Sequence, residues 1–276
     1  MARQKRIALI NDITGFGRCS VTVQLPLISA MRVQACPLPT AILSVHTGFP
    51  NHYLDDYTDR MRPYMENWAA NALEFDAILT GFLGSERQIE VVLECIARFK
   101  QRTTQLVVDP VMGDNGSLYS SYTPALCAKM RQLLPQADVV TPNLTEACQL
   151  LGADYPTGGL VTEDELARMA AAIAAMGPRT VIITGLHAGE NVRTYLYADG
   201  CGRSFDNPKV GRDRSGAGDA FSAIIAAALV RGIPLAEGVP RAADFIGHCL
   251  TYAEKLDLPW NHGLPFEEFM GELTEL

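Results

Sequence analysis

Short apolar runs recur along the chain, each closed by a polar or glycine-bearing turn and followed by a stretch with helical spacing. The first, Arg6-Ile7-Ala8-Leu9-Ile10, is unbroken enough to fit a strand buried on both faces. It leads into Asn11–Ser20 and then a predicted helix to Met31. Pro37–Val45 reads as extended, His46–His52 as loop, and Tyr53–Leu73 carries helical periodicity. Asp76–Gly81 is another buried-type strand. Ser85-Glu86-Arg87-Gln88 has the spacing of a capping box and opens a predicted helix to about Arg102. Gln105–Val108 and Asp138–Val140 are further strands, and Thr141-Pro142-Asn143 reads as an N-cap with proline at the first helical position. Thr162–Glu165 caps a helix to Met176, and Thr180–Gly185 is the next strand. Val192–Ala198 and Arg203–Asp206 form a predicted antiparallel pair. Ala220–Val230 is rich in helix formers and stops at Gly232 and Pro234; helices around Leu235–Lys255 and Pro265–Leu273 close the chain.

Strands alternate with helices nearly throughout. That predicts an α/β fold: a three-layer, doubly wound, mostly parallel sheet with helices on both faces. No repeat, low-complexity stretch or Pro/Gly/Ser-rich linker divides the 276 residues, so one domain spanning residues 1–276 is expected.

Composition narrows the functions. The net charge of −8 argues against sequence-independent binding of nucleic acid, which needs a basic surface, but leaves open a phosphorylated ligand held by local backbone donors. The basic start Met1–Arg6 is followed only by Ile7–Ile10, too short for a signal-peptide core or a membrane span. A cytoplasmic protein without a membrane partner is expected. The seven cysteines are scattered and without a CxxC, as for reduced core residues, and the five histidines show no zinc spacing.

Chemistry concentrates at Arg214-Ser215-Gly216-Ala217-Gly218-Asp219-Ala220-Phe221. Two glycines around one small residue let the backbone turn tightly and present successive N–H groups. The helix that follows adds its dipole, so the loop suits an anion. Asp219 is then either a cap of that helix or a base beside a reacting phosphate. Gly15-Phe16-Gly17 imitates a dinucleotide-binding turn. Its third glycine position is Ser20, however, and no acidic residue follows until Asp55, which removes the ribose partner.

Asp109, Thr141, Thr184 and the Gly216 loop each follow a short strand, and such carboxyl ends line one edge of a parallel sheet, where ligands bind. Asp109, Asp114 and Glu146 are oxygen ligands of the kind Mg²⁺ takes together with water and substrate phosphates. Singly, Asp109 reads as a turn cap and Glu146 as a solvated helix residue; beside an anion loop they read as half of a phosphate-donor site. There is no GxxxxGK[ST], no HRD or DFG and no GxSxG, so P-loop, protein-kinase and hydrolase-elbow readings fall away.

Gly216-Ala217-Gly218-Asp219 resembles the signature of the ribokinase superfamily. Val108-Asp109-Pro110-Val111-Met112-Gly113-Asp114 and Thr141-Pro142-Asn143-Leu144-Thr145-Glu146 resemble its vitamin-kinase branch, the pyridoxal and hydroxymethylpyrimidine kinases. Val45-His46-Thr47-Gly48 and Thr80-Gly81-Phe82-Leu83-Gly84-Ser85 are closer to pyridoxal or pyridoxamine kinase, and the likeness runs from about residue 6 to residue 255. The resemblance implies a ribokinase-like fold and ATP-dependent phosphorylation of the 5′-hydroxymethyl group of a B6 vitamer, in a homodimer. It makes Asp219 the general base and Gly216, Ala217 and Gly218 the donors to the developing charge. Asp109, Asp114 and Glu146 would organise Mg²⁺, with a monovalent cation as a possible addition; Thr141, Asn143 and Thr184, with the glycines, would meet ATP. Asp12, Thr47, His46 and Phe82 would line the acceptor site.

Asp12 departs from the usual serine, Phe82 from a frequent tyrosine, and Asp213-Arg214-Ser215 from the sugar-kinase run. Arg212 or Arg214 reads as an ATP phosphate clamp or as a surface arginine. Hydroxymethylpyrimidine kinase is the close alternative, a sugar or nucleoside kinase a distant one. A non-catalytic ligand-binding relative would need no base beside an anion loop.

Overall fold

Along the first strand, Ile7 and Leu9 point to one apolar layer and Ala8 and Ile10 to the other, and all four are fully buried. A computed structural model describing residues 3–275 shows how the rest of the chain follows from that alternation. The strands are β1 (Arg6–Phe16), β2 (Gln34–Val45), β3 (Leu54–Asp56), β4 (Ala77–Thr80), β5 (Gln105–Val108), β6 (Gly113–Asp114), β7 (Ser117–Leu118), β8 (Val139–Val140), β9 (Thr180–Ala188), β10 (Asn191–Ala198) and β11 (Cys201–Pro208). The helices are α1 (Val21–Ala30), α2 (Thr58–Ala70), α3 (Glu86–Phe99), α4 (Pro124–Met130), α5 (Leu144–Leu151), α6 (Glu163–Ala174), α7 (Ala217–Arg231), α8 (Leu235–Lys255) and α9 (Met270–Thr274).

One nine-stranded sheet has the order β11-β10-β9-β8-β5-β4-β1-β2-β3, and β6 and β7 form a separate hairpin. The run from β9 to β2 is parallel, while β3, β10 and β11 pair antiparallel at the edges. Met61, Ile89, Leu126, Leu144 and Leu166, from α2 to α6, pack with Ala8 and Ile10 on one face. Val23, Leu27, Ile224, Phe245 and Leu273, from α1, α7, α8 and α9, pack with Ile7 and Leu9 on the other. This is the expected three-layer, mostly parallel arrangement. Among the described residues no helix is long and apolar enough to cross a membrane.

Several local readings need correction. β1 does not stop at Ile10; a register shift between Asn11 and Ile13 carries it on to pair Phe16 with Val45. The predicted helix Tyr53–Leu73 begins as β3, whose Leu54 pairs with Leu43. Its helical part starts at Thr58, where the Asp56 carboxylate accepts the Thr58 N–H at 2.7 Å. The cap of α5 is Asn143, with Pro142 left outside the helix. The Ser85 box is only half formed: Ser85 accepts the Gln88 N–H at 3.2 Å, but the Gln88 side chain accepts the Gly84 N–H and donates to the Thr40 carbonyl and the Thr58 hydroxyl, each at 2.8 Å or less. The helix it opens ends at Phe99, short of Arg102, and the last predicted helix shrinks to α9 after a 3₁₀ turn at Glu267–Phe269. All seven cysteines are free thiols; five are buried, but Cys201 is exposed on β11.

Gln88, 1% exposed, therefore joins α3 to β2 and α2 as well as to its own cap. Gln88→Leu leaves those groups unpaired and is expected to lower stability by about 1–3 kcal/mol. Ser85→Ala removes one capping bond and is expected to cost about 1 kcal/mol. Urea unfolding of the two variants checks the order; a larger loss from Ser85→Ala would contradict it.

Candidate active site

Ile10, Thr80, Val108 and Val140 lie in register across β1, β4, β5 and β8. The next residues, Asn11, Gly81, Asp109 and Thr141, consequently form one row at the carboxyl edge of the sheet, where α/β folds bind ligands. Asn11 is fully buried and uses its whole amide. Its Nδ2 donates to Gln24 Oε1 (2.9 Å) and Asp219 Oδ1 (3.0 Å), while its Oδ1 accepts the N–H groups of Asp12 (2.9 Å) and Phe82 (2.8 Å). A side chain at Gly81 would collide with that amide.

Asp219 sits in the first turn of α7, yet it does not cap that helix. The N-cap is Gly216, at φ 86°, and there is no side-chain cap bond. Only glycine suits this position, since a Cβ would strike the Arg18 carbonyl. The second Asp219 oxygen accepts the Ser20 N–H at 2.8 Å. Burial and the charge of Asp12 raise the Asp219 carboxyl to about 6, against the opposing hydrogen bonds from Ser20 and Asn11. Of the glycine-loop amides, Ala217 N–H leans on the Arg214 carbonyl at 3.4 Å. The Gly218 and Asp219 amides belong to the first-turn donors with no carbonyl behind them.

Asp109 and Glu146 are both buried, so Glu146 is not the solvated helix residue of the simple reading. Glu146 accepts Asn143 N–H (2.9 Å) and Met112 N–H (3.1 Å), closing the capping box of α5 and fastening the loop before β6. Burial and the Asp109 charge nevertheless push its carboxyl well up. Asp109 is raised by burial and by Asp219, partly offset by the Ser222 hydroxyl. Asn143 donates from Nδ2 to Gly113 O at 2.8 Å, tying the same hairpin. Asp114 is exposed on that hairpin and accepts the Asn115 N–H at 2.8 Å; burial of its surroundings and the Asp213 charge raise it. Thr184 is half-buried and donates its N–H to Pro142 O at 2.9 Å.

Among the described residues no three His, Cys, Asp or Glu side chains converge on an ion position. Mg²⁺ does not require that, since it is commonly held by one or two carboxylates plus water and phosphate. The buried Asp109 and Glu146, carrying more negative charge than their surroundings offset, fit such a cation. The Thr141 hydroxyl, next along the sheet edge from Asp109, is buried and has no partner among the described residues, which leaves it free to serve a ligand oxygen.

On the acceptor side, Asp12 is 4% exposed and accepts the Thr14 hydroxyl at 2.6 Å. Burial raises its carboxyl, against the Ser20 and Thr14 hydroxyls. His46 Nε2 lies 2.8 Å from Asn261 O, and Nδ1 accepts the Gly48 N–H at 3.1 Å, which places the single ring proton on Nε2. Burial lowers its pKa. Thr47 is exposed, and Phe82 is half-buried with its ring edge-on to Tyr122 at 6.0 Å.

Sequence reasoning missed Asn11, Ser20 and the segment after α8. In that segment Trp260 and His262 join Phe16, His46 and Phe49 in one aromatic group, with centroids 4.9–6.5 Å apart. The only local hint was a polar pair at the end of the first strand. Arg214 is not a surface residue: it is 7% exposed and turned inward, donating to Leu258 O (2.9 Å), Pro259 O (3.0 Å) and Glu254 (3.0 Å), which engages both of its Nη groups away from a phosphate. Gly17, at φ 121°, packs against His46 and forms no dinucleotide turn.

The profile of the phosphomethylpyrimidine kinase family matches residues 25–263. A Bacteroides thetaiotaomicron protein described as a phosphomethylpyrimidine kinase, in a crystal form with pyridoxal, superposes with TM-score 0.92 at 35% identity, covering 99% of this chain and 96% of its own. Pyridoxine kinase of Bacillus subtilis is 33% identical over 210 residues, 74% of this chain and 72% of that protein. Hydroxymethylpyrimidine/phosphomethylpyrimidine kinase of Haemophilus influenzae is 32% identical over 199 residues, 70% of this chain and 71% of that protein. The chain is thus similar to proteins named for both acceptors.

The raised carboxyls have a consequence for stability. Asp109, Glu146 and Asp219 bind protons more tightly folded than unfolded, so their contribution is full below about pH 4. It is lost as the pH rises through about 6 for Asp219 and about 8 for Asp109, and burial with the Asp109 charge shifts Glu146 in the same direction. Asp109→Asn is therefore expected to raise the Tm of the protein free of metal and nucleotide at pH 8, and to do so less at pH 5. Thermal unfolding at the two pH values checks this; a Tm lowered at pH 8 would contradict it.

Proposed function

The chain belongs to the phosphomethylpyrimidine kinase family, and within it we propose that it transfers the γ-phosphoryl group of ATP to the 5′-hydroxymethyl group of B6 vitamers. The observation that carries the transfer step is Asp219, oriented from two sides by Asn11 and Ser20 at the start of the helix that the glycine loop opens. Its carboxyl, at about 6, is largely ionised at neutral pH and is still basic enough to accept a proton. Asp219 takes the hydroxymethyl proton as that oxygen bonds to the γ-phosphorus. The bond to the bridging oxygen breaks, and ADP leaves with the electron pair. The amides of the glycine loop stabilise charge on the phosphoryl group in flight, the positioning and electrostatic work on which such transfers depend.

Asp109 and Glu146 would hold Mg²⁺, which when bound neutralises phosphate charge, while Thr141 and Thr184 would meet the nucleotide. The pyridoxal-containing crystal form of the Bacteroides protein, matched over nearly the whole chain, favours a pyridine acceptor. Asp12, buried beside Asp219, suits a protonated ring or an amine. Hydroxymethylpyrimidine is the second reading, favoured by the Haemophilus relative.

A coupled assay measuring ADP release against pyridoxal, pyridoxamine, pyridoxine, hydroxymethylpyrimidine and ribose separates these. Phosphorylation of the pyrimidine alone would replace the B6 reading, and turnover of none of the panel would end both. Asp219→Asn is expected to lower kcat by about 10²–10⁴-fold, with ATP binding kept. In the wild type, kcat/KM should fall as the pH drops through about 6 and the base becomes protonated. Asp12→Ser should change the ranking among vitamers; an unchanged ranking would remove Asp12 from acceptor selection.

A further inference from the structure

Arg214 stands two residues before Gly216, yet its guanidinium reaches away from the phosphate side of the loop. The side chain is 2% exposed. Burying a guanidinium is costly unless its donors are used; here Nη1 is shared by the carbonyls of Leu258 and Pro259 and Nη2 meets Glu254, while Nε is buried with no partner among the described residues. Glu254 is 43% exposed, so that ion pair adds little, and the two carbonyls are what fix the side chain.

Those carbonyls begin a short strap, residues 258–263, that packs against the loops after β1 and β2. Its Asn261 carbonyl meets His46 Nε2 at 2.8 Å, and its His262 carbonyl accepts from Arg18 Nη1 at 3.2 Å. Arg18 is in turn the residue whose carbonyl closes against Gly216, and Gly263 presses equally closely on the Gly17 carbonyl. The contacts thus form a ring: glycine loop, Arg214, strap, acceptor-side loops, and back to the glycine loop.

We propose that Arg214 is a positioning residue that ties the glycine loop to the strap 258–263, holding the phosphate and acceptor sides of the site in one register. The effect on turnover rests on the kinase reading above; the structural tie does not. Arg214→Met removes the tie. It is expected to lower kcat by about 10- to 100-fold, the scale of a small misplacement of reacting groups. KM for ATP should stay within about threefold, because no phosphate contact is lost. Arg214→Lys keeps the charge but cannot fork between two carbonyls, so its kcat should fall in between, and it serves as the test if the methionine variant does not fold. Added guanidinium ion should restore part of kcat in Arg214→Ala, which a general loss of stability would not allow.

A readout that needs no substrate is Trp260 fluorescence in a Trp68→Phe background, since the chain has only two tryptophans. Emission should move to the red when the strap is released by Arg214→Met. An unmoved emission together with kcat within about twofold of wild type would overturn the proposal. So would a raised KM for ATP at unchanged kcat, which would make Arg214 a phosphate clamp. If wild type turns over no acceptor, the kinase reading fails and the emission shift alone decides the tie.

Discussion

The Asn11 side chain is the constraint on which the site depends. It has two donors and two acceptor positions, and all four are used: Gln24 from α1, Asp219 from α7, and the backbone N–H groups of Asp12 and Phe82. Losing one such bond in a dry interior costs about 1–3 kcal/mol, so the amide cannot turn without breaking its neighbours' geometry. It therefore sets the direction of the Asp219 carboxylate and the height of the Phe82 backbone at once. Gln24 extends the same network to Ser222, one turn along α7, at 3.3 Å. The requirement for glycine at position 81 is part of this arrangement, because any side chain there would displace Asn11.

Against that rigid frame the site gathers carboxylates that repel one another. Asp12 raises Asp219, Asp219 raises Asp109, and Asp109 raises Glu146. A sequence selected for stability alone would not keep this chain of like charges, whereas a site that must receive a cation and polyphosphate needs an electrostatic deficit for the cation to fill. The helix starts divide the work. α5 spends its capping carboxylate internally through the Asn143 and Glu146 box, while α7 has no side-chain cap and leaves its first-turn amides for an incoming anion. This local division of donors is why a chain of net charge −8 can still be built to hold phosphate.

What could be read from the sequence follows the range of the interaction involved. Asp109 and Thr141 were legible because each follows a short apolar run, and strand ends of a parallel sheet fall on one edge; Thr184 instead lies inside β9, which runs on to Ala188, and meets that edge through a bridge to Asn143. Gly216 was legible because a tight turn at a helix start asks for glycine locally. Asn11 was not: its partner Asp219 lies 208 residues away in the chain. Arg214 was misread for the same reason, as its acceptors are main-chain carbonyls 44 and 45 residues on, which carry no side-chain signal. β3 escaped because three residues are too few for a period to show inside a helical pattern.

Whether Asp219 caps a helix or acts as a base is a question about where its two oxygens point. Both are turned across to β1 and the start of α1, so the carboxylate is oriented by the rest of the fold instead of serving its own helix. Orientation by partners outside its own helix is what a base would need, and each oxygen, accepting one hydrogen bond, keeps a lone pair for an incoming proton. The charge of Asp12 acts on this same carboxylate. A charged Asp12 raises Asp219, and a cation placed against Asp12 would cancel that influence and favour the ionised form of Asp219. Asp12 and Asp219 are thus electrostatically linked, so whatever pairs with the one shifts the proton affinity of the other.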